Sequence, residues 1–135
     1  MSNLPLQKIV GSRIESAKFD KPSESWLIHF ANGDSLNIEC MWRLIEDGYI
    51  CSTSEDHNQM FGGDKAFNGE AALNEMAEHE ILSAQCNDLA GDISIKLGEY
   101  FVLEVVAISA VYESWQYKQK GGNSFIAVSG QVHSY

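Results

Sequence analysis

The chain has 135 residues, a single-domain length that can bury one hydrophobic core. Its apolar fraction of 44% and charged fraction of 21% are ordinary for a globular protein, and no apolar stretch is long enough for a membrane-spanning helix. The net charge of −10 disfavours nucleic acid as a partner, because such a field repels phosphate backbones.

Met1–Gln7 lacks a basic region followed by an apolar run, so no secretory signal is read there and a cytoplasmic home is expected. Residues 8–19 alternate loosely and end at the turn signal Asp20-Lys21-Pro22-Ser23. A strand over Trp26–Phe30 follows, with Trp26, Ile28 and Phe30 on one face and His29 solvated on the other. Asn32-Gly33-Asp34 marks a tight hairpin, since Asn and Gly tolerate positive φ. Ser35–Met41 returns as a strand, with Leu36, Ile38 and Cys40 inward and Ser35, Asn37 and Glu39 outward. Trp42–Ser52 reads as a further strand pair or bend about Glu46-Asp47-Gly48.

Residues 53–69 form the longest irregular stretch, polar and Gly-rich. Asn68 is placed to cap a helix over Glu70–His79, with Leu73, Met76 and Ala77 apolar and His79 at the negative last turn. Ile81–Asn87 and Ile93–Leu97 read as strands split by 88–92. Tyr100–Ile108 is interrupted only by Glu104, so this strand is expected to be covered on both faces. Val102, Val106 and Ile108 then lie beneath the 70–79 helix or a second subunit, which makes a homodimer a partner to test. Glu113–Tyr117, a Gly121-Gly122-Asn123 turn and a closing strand Phe125–Ser129 complete the chain.

The two halves share a pattern 67 residues apart. Ile14, Ser16, Ala17, Ile28 and Leu36 are identical to Ile81, Ser83, Ala84, Ile95 and Leu103, and no gap is needed. The expected fold is therefore α+β, mostly β, in one domain over 1–135. Two similar antiparallel halves, about 8–60 and 80–130, are joined by a loop and one short helix. Two copies are too few for a solenoid.

Three cysteines (Cys40, Cys51 and Cys86) without a CxxC pair give no metal or redox motif, and they read as reduced thiols. Glu75-Met76-Ala77-Glu78-His79 superficially resembles a metalloprotease helix, but position 75 is not histidine, so no metal and no cofactor is expected. Phe61-Gly62-Gly63-Asp64 lacks the spacing and the Lys-Ser/Thr ending of a phosphate loop. Asp56-His57 is the one candidate catalytic pair, which would make a small hydrolase, yet a third placed group is missing. Trp42, Arg43, Glu113 and Trp115 are the candidate partner-binding residues, because Trp and Arg dominate binding hot spots. Between Glu70 and Glu113 nine acidic residues face one basic residue, Lys96, a field that attracts a basic protein. A small-ligand pocket between the halves, lined by Trp42 and Trp115, is the remaining alternative.

Trp42-Arg43-Leu44-Ile45, Asp47-Gly48, Thr53-Ser54-Glu55-Asp56-His57, Gln59 and Phe61-Gly62, in that order, resemble a family of small uncharacterised bacterial domains. Tyr112-Glu113-Ser114-Trp115 and Ile126-Ala127-Val128-Ser129-Gly130 resemble the same family's second half, although Ser129-Gly130-Gln131 replaces a more Gly-rich end. The match covers nearly the whole chain. It implies the β-rich architecture and the recurring loop, and similar proteins look like members of toxin–immunity neighbourhoods; the acidic 70–113 region and the incomplete catalytic set make a noncatalytic, immunity-type protein-binding module the leading expectation. The resemblance implies no catalytic role for Asp56 or His57.

Overall fold

A computed structural model describes residues 6–87 and 89–135. Asp88, part of the expected 88–92 break, and residues 1–5 lie outside the described residues. Eleven strands among them form two antiparallel sheets. They are β1 (Ile14–Asp20), β2 (Ser25–Phe30), β3 (Ser35–Ile38), β4 (Met41–Glu46), β5 (Tyr49–Thr53) and β6 (Ile81–Cys86). The rest are β7 (Ile93–Leu97), β8 (Phe101–Val106), β9 (Glu113–Lys118), β10 (Ser124–Val128) and β11 (Gln131–Ser134). One sheet runs β1-β2-β3-β9-β10-β11 and the other β5-β4-β8-β7-β6. One helix, α1 (Gly69–Glu75), follows the long loop.

Alternation drives this layering. Trp26, Ile28, Phe30, Leu36 and Ile38 bury one side of the first sheet, and Trp42, Leu44, Ile95, Leu103 and Val105 bury one side of the second. They join a single core. Each sheet contains a three-strand meander, β1-β2-β3 and β6-β7-β8, and each meander carries a bulge, between Ile14 and Ser16 and between Ile81 and Ser83. After each meander the chain crosses to the other sheet: β4 pairs with β8, and β9 pairs with β3.

The crossing corrects one expected element. Ser35–Met41 is not one strand. β3 stops at Ile38, and the Glu39 and Cys40 amides both donate to the Ser114 carbonyl (2.9 and 3.1 Å) as the chain turns away. Alternation cannot register such a crossing, because Cys40 keeps the apolar beat across it. Residues 8–13 are likewise not strand. Gln7–Ile9 is a 3₁₀ turn with Ile9 buried, and Gly11 and Ser12 exchange hydrogen bonds with Ile81 (2.8 Å each). The Asp47-Gly48 hairpin forms with positive φ at both residues (49° and 87°). A hairpin not anticipated joins β10 to β11 through Ser129 and Gly130, again both at positive φ (53° and 78°).

Helix α1 starts where its cap demands: the Asn68 side chain accepts from the Ala71 amide at 3.0 Å. It ends at Glu75 and tightens into a 3₁₀ turn over Met76–Glu78, so His79 is outside it and packs on the Phe101 ring, 5.1 Å between centroids. Leu73 and Met76 reach the core, each contributing roughly 1.5–3 kcal/mol by burial. The helix packs on β1 and β5. Its side chains also satisfy the free edge of β1. Asn74 accepts from the Ala17 amide and donates to the Ala17 carbonyl (2.9 Å each), and Glu70 accepts from the Phe19 amide at 2.7 Å. An unpaired strand edge is thereby closed. This placement corrects the expectation that the helix covers β8. The outward face of β8 is only half-buried at Val102 and Val106, and Ile108 lies beyond the strand, 67% exposed.

Candidate functional site

Among several clefts on the described surface, two hold candidate site residues. One, about 570 Å³, lies over the second sheet around Arg43 and Glu104. There Arg43 Nε donates to Glu104 Oε1 at 2.7 Å across the β4–β8 pair, so guanidinium and carboxylate answer each other. The other, about 600 Å³, lies between the β1–β2 turn, the β3–β4 crossing and the Ser54–Gln59 loop.

The second cleft is lined by carboxylates and by the half-buried Phe19 ring, over the buried Trp26. Phe19 ends β1 and Trp26 begins β2, opposite one another in register, with ring centroids 4.6 Å apart. The His57 ring packs against both, 4.8 Å from Phe19 and 4.9 Å from Trp26. Around these rings stand Glu24, Glu39 and Glu55, opposed by Lys21 alone. None of the four belongs to an ion pair among the described residues. Glu39 is the most constrained: it accepts from Gln116 Nε2 at 2.9 Å, and partial burial with the nearby Glu113 carboxylate raises its pKa. Glu24 holds a φ of 54°, a conformation uncommon for a non-glycine residue, at the cleft rim.

His57 is fixed by its Nδ1, which accepts the Gly69 amide at 3.0 Å. The Nδ1 lone pair is therefore used, and the proton of the neutral ring sits on Nε2. Gly69 must be small here. A Cβ on it would lie 2.6 Å from Trp26 Cη2 and 3.1 Å from Trp42 Cζ2. The loop beyond His57 is closed at its base, where Asn58 N donates to Phe67 O (2.8 Å) and Phe67 N to Gln59 O (3.0 Å).

Two nucleophiles that hydrolysis could call on, Ser54 and Cys51, are engaged with backbone. Asp56 uses its backbone in the 3₁₀ turn Ser54–Asp56, donating from its amide to Thr53 Oγ1 at 3.1 Å, and its carboxylate has no hydrogen bond to His57. Ser54 Oγ accepts from Trp42 N (3.0 Å) and donates to Trp42 O (3.3 Å). Cys40 lines the cleft, but burial pushes its thiol up to about 12, which keeps it protonated. Cys51 Sγ donates to the Leu44 carbonyl at 3.3 Å.

Trp42 and Trp115, read from sequence as contact residues, are fully buried core groups and line neither cleft. Their aromatic mass is spent on packing; Trp42 meets Trp26 edge-on at 5.1 Å. Arg43 is at the surface, and so is Glu113, which accepts from Gln116. Of the acidic run, Glu70, Asp92 and Glu104 are engaged internally, Asp92 accepting from the Ala107 amide at 2.8 Å. The cleft carboxylates Glu24, Glu39 and Glu55 lie before that run in sequence; only Glu55 falls within a motif, Thr53–His57, and the fold brings the three together.

No family model, curated protein or solved structure matches the chain. Among the described residues no helix is long and apolar enough to cross a membrane, and no group of side chains could hold a metal ion.

Proposed function

We propose that the protein is a noncatalytic binding module that captures a basic segment of a protein partner in the cleft around His57. The observation that carries this reading is the set of three carboxylates, Glu24, Glu39 and Glu55, set beside the half-buried Phe19 ring with Lys21 as the sole opposing charge. Carboxylates pair with Lys or Arg, and an aromatic wall receives the alkyl stem or the cation itself. The net charge of −10 speeds the approach of such a partner. The toxin–immunity neighbourhoods associated with similar small bacterial domains are in keeping with this role, with a basic protein as the partner class.

Calorimetric titration with a Lys/Arg-rich peptide tests the reading. Binding that weakens as salt rises and disappears in the combined E24Q/E39Q/E55Q variant is expected. Absence of binding at low salt, or binding indifferent to the three substitutions, overturns it.

The two halves are read as an internal duplication. Its support is register: Ile14↔Phe30, Ala17↔Ile28 and Ile28↔Leu36 recur 67 residues later as Ile81↔Leu97, Ala84↔Ile95 and Ile95↔Leu103, with the bulge at the same place. A second copy of the chain is the proposed cover for the half-buried Ile45, Val102 and Val106. Light scattering that returns a strict monomer removes that proposal.

A further inference from the structure

We propose that His57 is a proton-sensitive latch that holds the base of the Asn58–Asn68 loop against Gly69 while its ring is neutral. The geometry is one-sided. The Gly69 amide points its hydrogen at Nδ1 from 3.0 Å, a contact that requires a bare nitrogen there. A proton on Nδ1 sets N–H against N–H, and the bond is lost. The ring cannot keep its seat and simply re-pair, because Phe19 and Trp26 pack against it.

What this one bond secures is larger than itself. Gly69 opens α1, and the two hydrogen bonds between Asn58, Gln59 and Phe67 close the loop immediately beyond His57. The loop carries Met60 and Phe61, both exposed, so little burial holds it from its far side. The loop base is exposed at Asn58 and Gln59, whereas Gly69 is buried and α1 is held by Leu73, Asn74 and Glu70, so releasing His57 loosens the loop base while α1 stays docked.

The charged surroundings set the direction. Lys21 and Glu24 face His57 from the β1–β2 turn, and Glu39 with the Cys40 thiol faces it from the β3–β4 crossing. Glu55 and Asp56 precede it on its own turn, and Glu70 on α1 is occupied by the Phe19 amide. Carboxylates outnumber Lys21, so an imidazolium freed from Gly69 is welcome in this cleft. The closed state binds the neutral ring and the open state the charged one. Acidification through the imidazole range shifts the population to open. The latch stands on this geometry alone. Its consequence, release of a basic partner on acidification as a positive charge enters the cleft, rests on the proposed function.

The test uses the whole chain, without a partner. Nitrogen NMR of histidine-labelled protein near neutral pH should show a bare Nδ1 and a protonated Nε2 for His57. Hydrogen exchange of the Gly69, Asn58 and Phe67 amides, corrected for intrinsic rates, should lose protection as pH falls, by up to about tenfold per pH unit while the latch is still mostly closed. His57→Phe keeps an aromatic ring but no acceptor; its Gly69 amide should exchange fast with no pH dependence. A proton on Nδ1 at neutral pH, or Gly69 protection unchanged through the His57 titration, overturns the latch, and both readings come from the unmodified protein. A latch that passes while the basic peptide fails to bind indicts the binding reading alone.

Discussion

Trp42 and Trp115 occupy matching places in opposite sheets, yet only one of them has a partner for its indole nitrogen. Trp42 sits opposite Val105 at the second meander, and Trp115 opposite Ile38 at the first. Trp115 Nε1 donates to the Gly91 carbonyl at 2.7 Å, whereas Trp42 Nε1 is buried with no hydrogen-bond partner. Both rings fill core volume, so replacing either with Phe loses packing. Trp115→Phe also orphans a carbonyl, while Trp42→Phe removes an unsatisfied donor. Urea unfolding should place Trp115→Phe below Trp42→Phe by about 1–2 kcal/mol. Equal losses would show that the Gly91 bond contributes nothing.

Tyr117 and Asp34 form the buried polar contact of the first sheet. The Tyr117 hydroxyl donates to the Asp34 carboxylate, whose other oxygen accepts the Lys120 amide at 2.9 Å. Tyr117→Phe leaves a buried carboxylate short of a donor and should cost about 1.5–3 kcal/mol. Burial, first, and the Asp34 bond raise the phenol above its ordinary value of 10.0. The unfolded chain therefore loses this proton before the folded one. Tyr117 contributes fully below pH 10, and its contribution falls as pH rises above that value. Stability measured from neutral to strongly alkaline pH should decline less steeply in Tyr117→Phe than in the unmodified chain.

Asn74 stands in for a neighbouring strand. Its two hydrogen bonds to Ala17 satisfy the edge of β1 where no strand continues the sheet. Asn74→Ala should cost about 1–3 kcal/mol and raise amide exchange at Ala17, while β2 amides stay protected. Unchanged exchange at Ala17 would mean that water replaces the side chain without loss.

The thiols differ in access. Cys51 is exposed, Cys40 half-buried and Cys86 buried. Burial and the Glu46 charge raise Cys51 above its ordinary value, so its reaction should be slow but first. A thiol reagent followed by mass spectrometry should add one label before a second, and Cys51→Ser should abolish the early one. Early labelling of Cys86 would contradict its place in the core.

Most of the strands were legible because period-2 burial is local: Trp26, Ile28 and Phe30, or Ile93, Ile95 and Leu97, announce their faces within a few residues. The hairpins at Asn32-Gly33 and Asp47-Gly48 were legible for the same reason, being turn chemistry. The Ile38–Met41 crossing was not, since Cys40 continues the pattern while the chain changes sheets. Nor was the cleft. Phe19, Glu24 and Glu39 are unremarkable where they stand in the chain, and their meeting with Glu55 and His57 of the Thr53–His57 motif depends on which edges the sheets leave open. Tryptophan misled for an allied reason: the traits that mark a hot spot also mark a core residue, and burial decides between them only after folding.

The most direct measurement is an amide and indole chemical-shift map of the labelled protein titrated with a Lys/Arg-rich peptide. Capture in the cleft predicts perturbations gathered at Phe19, Trp26, Ser54 and Asn58, lost in E24Q/E39Q/E55Q. Perturbations centred on Arg43 and Glu104, or none at low salt, would contradict it.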